Sequence, residues 1–425
     1  MGYIFEELIR KFSESYDEQA GAHFTSRDII YLMTELLIAP EKEQIAAEGC
    51  TKTAYDMAMG TSQMLGCLTE RLQDVSKDAT LTCFGQEFNP ETYAIAKADM
   101  LIKGGNASGM KYGDTLSDDA FGGYEFDYVI SNPPFGIDWK REKSQVEAEA
   151  KRGYDGRFGP GLPAISDGQM LFMLNGIKKL KEGSGRMAII QNGSSLFTGD
   201  AGSGASEIRR YLIHEDLVEA IVQLPTDLFY NTGISTYIWV LTKGKPMSRS
   251  GRVQLIDASK CFVKRRKNIG SKRVDLDDAC IDLILKAYEG FDQNEVYTAD
   301  DLVVESKVFK NDFFGFTKVT VETAQTDASG KLLLKKGKKL PVKGATDSEI
   351  IPLSDDIDAY MAKNVLPYNP LAYIDPAKDK IGYEIPFTRL FYKFEAPEPS
   401  ASIFEDIKAL EAKETVLMKE LFGNA

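Results

Sequence analysis

Apolar residues recur along the chain with two periods, and these periods alternate between residues 53 and 258. Steps of three and four residues predict helices, and short apolar runs bounded by turn residues predict buried strands. The predicted helices cover residues 63–75, 90–102, 169–180, 208–213, 281–288 and 402–422. The predicted strands are 53–56, 81–87, a short segment before 113, 126–132, 186–192, 217–224, 235–242 and 252–258. This alternation favours an α/β protein with a mostly parallel sheet covered on both faces.

Both ends of the chain depart from this rhythm. Residues 1–40 predict two helices, the second with Ser26 as its cap and Pro40 at its end. After about residue 260 a basic stretch, a Lys-rich hairpin-like stretch and the last helix predict an α-rich extension. The sequence therefore divides into an N-terminal helical segment, a catalytic domain and a C-terminal extension, which cover 1–40, 41–260 and 261–425.

Two connections inside the central region are unusual. No full helix separates strands 217–224 and 235–242, which predicts an antiparallel hairpin at one edge of the sheet. Residues 140–168 are charged and then rich in Gly and Pro, and they are too long for an ordinary connection. Loops of this length are typically functional or disordered.

Composition narrows the class of protein. The 425 residues are 27% charged and 43% hydrophobic, as in a globular protein, and the net charge is −13. That charge argues against coating nucleic acid by bulk attraction but leaves a local DNA-binding face open. Five cysteines without a C-x-x-C pair and only two histidines disfavour disulfides and a metal site. With no signal peptide and no membrane-length apolar run, these features predict a cytoplasmic protein.

The strongest chemical motif is SNPPFG at 131–136, directly after the predicted strand FDYVI. Open α/β sheets bind ligands at this end of their strands. The prolines stiffen the turn and lack N–H donors, so acceptors and an aromatic ring remain. The set suits an exocyclic amino group, because Asn132 Oδ1 and the Pro133 carbonyl can accept its hydrogens while Phe135 stacks on its ring. A Pro-rich turn without function is the alternative, and the preceding strand disfavours it.

A row of acids follows the earlier strands. Asp56 opens the segment DMAMGTS, in which Gly60 permits close backbone approach and the following helix offers free N–H groups. The G-x-G-x-x-G fingerprint is absent, which disfavours a dehydrogenase. Glu87 can accept both ribose hydroxyls, and Asp114 can accept from an adenine amino group. Each acid alone is typical of a cap or turn, but the row favours a nucleoside-containing cofactor.

The order of these motifs resembles the γ arrangement of DNA adenine-N6 methyltransferases that use S-adenosylmethionine. The segments are GAHFTSRDI (21–29), DMAMGTS (56–62), GQEFNP (85–90), GDTL (113–116) and SNPPFG (131–136). Residues 166–199, 208–245 and 381–394 further resemble the modification (methylase) subunit of type I restriction–modification enzymes. The resemblance implies a Rossmann-like methyltransferase fold with a seven-stranded sheet.

The resemblance also implies site residues. Phe24, Thr25, Asp56, Gly60, Thr61, Glu87 and Asp114 would bind S-adenosylmethionine, and Asn132, Pro133, Pro134 and Phe135 would be catalytic and hold a flipped-out adenine. The family usually has T-P-R where this chain has TSR (25–27), and D-P-A-C-G-T-G where it has DMAMGTS. Met57, Met59 and Ser62 thus replace a proline, a small residue and a glycine, which predicts a weaker or differently shaped cofactor site.

The implied partners are DNA, a separate specificity subunit that reads the sequence, and a second methylase subunit. Whether a restriction (nuclease) subunit joins is left open. The last helix has apolar residues at coiled-coil-like spacing, at Ile403, Ile407, Leu410, Leu417 and Leu421. By the resemblance it meets helices of the specificity subunit, and packing on its own domain is the alternative. Members usually also carry an additional N-terminal helical domain, so this chain is a short homologue or a trimmed one.

Three basic segments are candidates for phosphate contact. The long connection offers Lys140, Arg141, Arg152 and Arg157, and it is the strongest candidate for folding over DNA. The runs Lys264–Lys267 and Lys335–Lys339 can also contact phosphate, although a solvated face is the more common role of such runs.

Two other functions remain compatible with the sequence. A methyltransferase with an N-P-P-aromatic motif could act on a protein glutamine or on RNA, although the long connection and the terminal helix argue against this. The second alternative is a non-catalytic scaffold with impaired cofactor binding, which the substitutions at Met57, Met59 and Ser62 would support.

Overall fold

The structure is a computed structural model that describes residues 25–230, 232–394 and 397–423. Phe24 and the first predicted helix lie outside the described residues. The chain forms two compact units, Met1–Phe387 and Thr388–Ala425, which are described separately.

The helices follow the predicted order. Those of the first unit are α1 Arg27–Ile38, α2 Lys42–Ile45, α3 Gln63–Val75, α4 Pro90–Ile102, α5 Lys143–Ala150, α6 Gln169–Lys178, α7 Ser194–Phe197, α8 Gly204–His214, α9 Asp278–Gly290 and α10 Ile357–Asn364. A short helix α11, Phe387–Phe391, spans the junction, and α12, Ser400–Phe422, belongs to the second unit. The predicted bounds of α3 and α4 are confirmed. Asn89 caps α4 by accepting from two backbone N–H groups, and Pro90 opens it.

The strands fall into one large and three small sheets. They are β1 Thr51–Asp56, β2 Thr80–Glu87, β3 Met110–Tyr112, β4 Tyr128–Ser131, β5 Arg186–Asn192, β6 Val218–Gln223, β7 Thr236–Thr242, β8 Arg252–Lys260, β9 Val263–Ile269, β10 Lys272–Asp275, β11 Asn294–Ala299, β12 Leu302–Lys310, β13 Gly315–Ala324, β14 Leu334–Lys335, β15 Lys338–Lys339, β16 Pro341–Pro352, β17 Ala372–Ile374 and β18 Lys380–Tyr383.

The large sheet has the order β11-β12-β8-β6-β7-β5-β4-β1-β2-β3. Strands β1 to β5 pair in parallel, and β7 runs antiparallel to both β5 and β6. Alternation along β5 separates the two faces, because Ala188 and Ile190 join the core under α1 while the neighbouring Met187 meets Gly176 of α6. The predicted α/β class and the mostly parallel sheet are confirmed.

The edge of the sheet differs from the prediction. Strands β6 and β7 are antiparallel as expected, but β8 pairs with β6, so this pair lies inside the sheet. Strand β8 and, beyond it, the antiparallel strands β12 and β11 extend the sheet from seven strands to ten. Strands β11 and β12 contain no apolar run longer than three residues, so the apolar pattern did not mark them as buried strands.

The prediction of an α-rich extension after residue 260 is wrong. Residues 263–383 contribute a β9–β10 hairpin, the two edge strands, and a sheet in which β13 pairs with β16, β17 and β18. The Lys-rich stretch does form a hairpin, β14–β15, around Lys336 and Gly337, which both have positive φ.

The second unit consists mainly of α12, in which every described side chain is exposed. Its apolar stripe at Ile403, Ile407, Leu410, Leu417 and Leu421 is between 45% and 74% exposed. Among the helices of the described residues, none is both long and apolar enough to cross a membrane.

Candidate active site

Four polar side chains follow four neighbouring strands. Because the sheet order is β4-β1-β2-β3, the side chains of Asn132, Asp56, Glu87 and Asp114 come in that order along one edge. Neighbouring strands lie about 4.8 Å apart, so this edge forms a continuous polar row. The structure thus brings together the row of acids and the SNPPFG segment that the sequence analysis singled out.

Asn132 is the buried end of this row. Its side chain is 8% exposed, and its Nδ2 donates to Thr25 Oγ1 at 2.9 Å. Its Oδ1 is buried and accepts no hydrogen bond from any described residue. Leaving a buried acceptor unpaired costs about 1–3 kcal/mol, so a structural role alone does not account for this geometry. An acceptor is held ready at the position where the sequence analysis placed an exocyclic amino group.

The rest of the SNPPFG segment frames this acceptor. Pro133 is buried, and Pro134 and Phe135 are half-buried. Gly136 has φ +72°, and its N–H donates to Asp167 Oδ1 at 3.4 Å. The turn is therefore fixed at both ends while the Phe135 ring remains partly open to a ligand.

Asp56 joins the ends of β1 and β4. Its Oδ1 accepts from Ser131 Oγ at 2.7 Å and from the Ala58 N–H at 3.1 Å. Burial raises the pKa of Asp56 to about 7, because these hydrogen bonds only partly offset desolvation. A buried carboxyl poised near neutrality is typical of a functional site.

Glu87 closes the loop that follows β1. Its Oε2 accepts from the Gly60 N–H at 2.9 Å, and its Oε1 accepts from the Asn89 N–H at 2.8 Å. Burial raises the pKa of Glu87. Gly60 has φ +53°, and a Cβ there would meet nothing within 4 Å, so its backbone faces open space beside the half-buried Thr61. A carboxylate has about four lone-pair sites, which leaves Glu87 acceptors for ribose hydroxyls.

The substitutions in the DMAMGTS segment lie beneath the loop. Met57 is 1% exposed, and its Sδ accepts from Asn175 Nδ2, while Met59 is 3% exposed and packs in the core. Both methionine side chains lie below the open space beside Gly60. Their substitution therefore changes the packing beneath the loop. Ser62 has φ +67°, a left-handed conformation that costs a residue with a Cβ roughly 1–2 kcal/mol. The loss of glycine freedom expected at Ser62 is therefore present as backbone strain.

Asp114 begins the turn after β3. Its Oδ1 accepts from the Leu116 N–H at 2.7 Å, and the next residue, Thr115, donates to the Met57 carbonyl at 2.5 Å. Glu142 lies beside Asp114, and burial together with the Asp114 charge raises the pKa of Glu142. Glu142 thus adds a second carboxyl at this end of the row.

The long connection at residues 140–168 does not leave Arg157 available for DNA as expected. It is ordered by α5, and Arg157, expected to be available for DNA, is 8% exposed and fully engaged. Its guanidinium donates to both carboxylate oxygens of Glu149 and to the Thr115 and Leu116 carbonyls. Arg157 therefore holds the turn that carries Asp114. Lys140, Arg141 and Arg152 are exposed.

The structure also corrects the expectation that the Ser26 side chain caps α1. It occupies the N-cap position of α1, but its side chain makes no capping hydrogen bond. Its Oγ accepts instead from Lys272 Nζ at 3.1 Å, and Lys272 is 1% exposed. Sequence reasoning missed Ser131, Arg157 and Lys272 as site residues. Ser131 was visible in the motif itself, whereas Arg157 and Lys272 each contact residues more than forty positions away in the chain, among them Thr115 and Ser26.

Strand order and site together define the class. The seven strands β3-β2-β1-β4-β5-β7-β6, with β7 antiparallel and an acidic row after β1 to β3, form the Rossmann-like fold of S-adenosylmethionine-dependent methyltransferases. The model of the N-6 DNA methylase family matches residues 1–328, and the chain belongs to that family.

Individual relatives are type I methylase subunits. The chain is 27% identical over 271 residues to the MjaIX methylase subunit of a type I restriction enzyme of Methanocaldococcus jannaschii, which covers 63% of this chain and 46% of the relative. It is 27% identical over 372 residues to the HindI methylase subunit of Haemophilus influenzae, which covers 86% and 77%. The chain thus spans about half of the first relative and about three quarters of the second.

Among solved structures, the chain is similar to the methyltransferase subunit of a type I restriction–modification system from Streptococcus thermophilus. The TM-score is 0.58 at 28% identity, over 73% of this chain and 59% of that one.

Proposed function

We propose that this chain is the methylase subunit of a type I restriction–modification enzyme and transfers a methyl group from S-adenosylmethionine to N6 of a flipped-out adenine in DNA. The observation that carries the proposal is the buried, unpaired Oδ1 of Asn132, which lies in an N-P-P-F segment at the end of β4. The adenine amino group supplies the hydrogen bond that this oxygen lacks.

The base contacts follow from that oxygen. Asn132 Oδ1 and the Pro133 carbonyl accept the two amino hydrogens, Pro134 keeps the turn rigid, and Phe135 stacks on the adenine ring. Two acceptors that hold the hydrogens out of the ring plane free the nitrogen lone pair for attack. The Nδ2 bond to Thr25 fixes the amide in the orientation this requires. The base must leave the duplex, because its N6 is unreachable inside the stack.

The residues beside Asn132 fit the proposed cofactor. S-adenosylmethionine supplies an electrophilic methyl group carried on a sulfonium. Asp56 and the open backbone of Gly60 and Thr61 face its centre, Glu87 accepts its ribose hydroxyls, and Asp114 accepts from its adenine amino group. Thr25 borders its methionine part, and Phe24 lies in the same segment outside the described residues. Catalysis then consists of orientation of the two reacting atoms and exposure of the lone pair.

The partners belong to the same proposal. A specificity subunit supplies the sequence reading, and a second methylase subunit completes the enzyme; a restriction (nuclease) subunit is needed only for cleavage and not for methyl transfer. The exposed apolar stripe of α12 supports a helical partner, since a surface helix normally buries such a stripe. We also propose the divisions at residues 40 and 260 as functional boundaries within the first compact unit.

The test is methyl incorporation into DNA by the chain together with its specificity subunit. We expect Asn132→Ala to lower the rate by about a hundredfold or more while S-adenosylmethionine still binds, because the lost oxygen acts on the transition state. Asn106→Ala is the matched control, since Asn106 lies in an exposed turn.

Equal rates for the wild type and Asn132→Ala would refute the assignment of the base site. RNA and protein substrates are assayed in parallel. Incorporation into either, without incorporation into DNA, would replace adenine in DNA as the substrate. Calorimetry with S-adenosylmethionine tests the scaffold alternative, which requires that the chain bind the cofactor poorly.

A further inference from the structure

The β9–β10 hairpin, residues 263–275 and here called the rim hairpin, lies at the same edge of the sheet as Asn132. Strand β6 is parallel to β5, so the loop after β6 starts at the carboxyl edge. The rim hairpin is bound to that loop, because the Ser271 N–H donates to the Tyr230 carbonyl at 2.7 Å and the Arg273 N–H donates to the Asp227 carbonyl at 2.8 Å.

A buried lysine ties the rim hairpin to the proposed base site. Lys272 Nζ donates to Ser26 Oγ at 3.1 Å, to Asp28 Oδ2 at 2.8 Å and to the Leu228 carbonyl at 3.0 Å. Ser26 follows Thr25, whose hydroxyl accepts from Asn132. The rim hairpin and Asn132 are therefore hydrogen-bonded to two consecutive residues, Ser26 and Thr25, which fixes the hairpin relative to the proposed base site.

The rim hairpin concentrates positive charge in an acidic chain. Residues 258–274 contain no acid and seven cations, namely Lys260, Lys264, Arg265, Arg266, Lys267, Lys272 and Arg273. Two of them are neutralised locally, since Arg265 pairs with Asp275 and Lys272 pairs with Asp28. Among the described residues, none forms an ion pair with the exposed cations Lys264, Arg266, Lys267 and Arg273.

We propose that these four cations bind the phosphates of the DNA strand that flank the flipped adenine. The inference rests on the proposed function, which places that adenine at Asn132. Strand β9 has seven residues and spans about 20 Å, over which one B-DNA strand carries about six phosphates. Phosphate contacts fix the position of the strand, and a strand held beside the extruded nucleotide keeps the base in its pocket.

The test compares two variants that each lose four positive charges. The first carries Lys264→Gln, Arg266→Gln, Lys267→Gln and Arg273→Gln in the rim hairpin. The matched control carries Lys77→Gln, Lys286→Gln, Lys343→Gln and Lys363→Gln, at four positions whose side chains are exposed and lie outside every basic segment considered for phosphate contact. Both are measured as the full chain, by anisotropy of a labelled non-specific DNA duplex at salt concentrations between about 20 and 200 mM.

We expect the rim variant to bind at least tenfold more weakly at the lowest salt and to lose steepness in the plot of log affinity against log salt, by about one unit per broken phosphate contact. We expect the control variant to keep the slope of the wild type. Arg266→Lys with Arg273→Lys preserves the charge and should also keep that slope. Unchanged thermal unfolding and S-adenosylmethionine binding establish that the rim variant is folded.

Four results would overturn the inference: no duplex binding by the wild type even at low salt, unchanged slope in the rim variant, equal loss in the rim and control variants, or tighter binding of the wild-type chain to duplex RNA than to duplex DNA. Methyl transfer is measured separately. If the slope falls as expected but no adenine is methylated, the proposed function fails and the phosphate surface stands. If adenine is methylated and the slope is unchanged, only the phosphate surface fails.

Discussion

At the residue scale, the charge of Asp56 leads to a prediction for the proposed cofactor site. Its carboxyl is buried between β1 and β4, and with a pKa of about 7 it is roughly half protonated at neutral pH. A sulfonium cation favours the ionised form. We therefore expect S-adenosylmethionine affinity to rise between pH 6 and pH 8, by up to about tenfold per unit below the pKa, and to level off above it. Calorimetry at pH 6, 7 and 8 measures this.

The Asp56→Asn variant separates that effect from other titrations. It should bind S-adenosylmethionine with little dependence on pH, and more weakly than the wild type at pH 8. Its stability should change in the opposite direction. The folded pKa of Asp56 is raised, so its stabilising effect is present below the unfolded pKa and is lost as pH rises through about 7. At pH 8 the variant should therefore resist urea better than the wild type. Equal cofactor affinity of the wild type at pH 6 and pH 8 would contradict this account.

At the scale of a structural element, Arg157 holds in place the long connection that contains α5. Its guanidinium joins Glu149 on α5 to the carbonyls of Thr115 and Leu116. Although burial raises it, the pKa of Glu149 is held below its ordinary value by hydrogen bonds from Arg157. Removing one partner of a buried pair strands the other charge, so we expect Arg157→Met to lower the free energy of unfolding by about 3–5 kcal/mol. Urea unfolding measures the loss.

Arg152→Met is the control for that prediction. Arg152 also pairs with Glu149, at 3.4 Å, but its side chain is 62% exposed. Its replacement should change the free energy of unfolding by no more than about 0.5 kcal/mol. Because Arg157 holds the turn next to Asp114, Arg157→Met should also weaken S-adenosylmethionine binding, and Arg152→Met should not. Equal stabilities of the two variants would show that the connection is not held in this way.

The same elements show what the sequence could predict. Helices α3 and α4 and strand β5 were placed at their observed bounds, because local periodicity, Asn89 and Pro90 mark them. The edge strands and the sheet around β13 were missed, because their strands have only short apolar runs and most of them pair with partners far along the chain. Local pattern decides whether a segment is helix or strand, but it does not say which long-range neighbour completes it.

Some residues of the candidate site were also predictable from the sequence, and others were not. Its motif residues were named from sequence because each follows a recognisable strand. Arg157 was expected to be available for DNA, and Lys272 was given no role, because a basic side chain looks the same in sequence whether it contacts phosphate or a buried carboxylate. Their partners are set by tertiary packing. The rim hairpin combines both situations, with Lys272 buried and its neighbour Arg273 exposed.

At the scale of the whole molecule, the charge of −13 and a DNA substrate are compatible if binding is divided between chains. The exposed cations of the rim hairpin lie in one small area, which can position a strand but supplies few phosphate contacts. The remaining affinity would then come from the proposed specificity subunit, for which we propose the stripe on α12 as the contact surface. On this proposal, an acidic net charge is compatible with a DNA substrate, because a second chain supplies most of the contacts to phosphate.

This division predicts the DNA affinity of the chain with and without its partner. At about 0.15 M salt the chain alone should bind duplex DNA no more tightly than ordinary non-specific binding, about 10⁻⁴–10⁻⁶ M, and the specificity subunit should tighten binding at least a hundredfold. Leu410→Asp with Leu417→Asp should abolish the gain without altering thermal unfolding, since both side chains are exposed. Ala409→Asp with Ala412→Asp, off the stripe, should retain it. Tight, salt-sensitive binding by the chain alone in titrations would show that this chain holds DNA by itself.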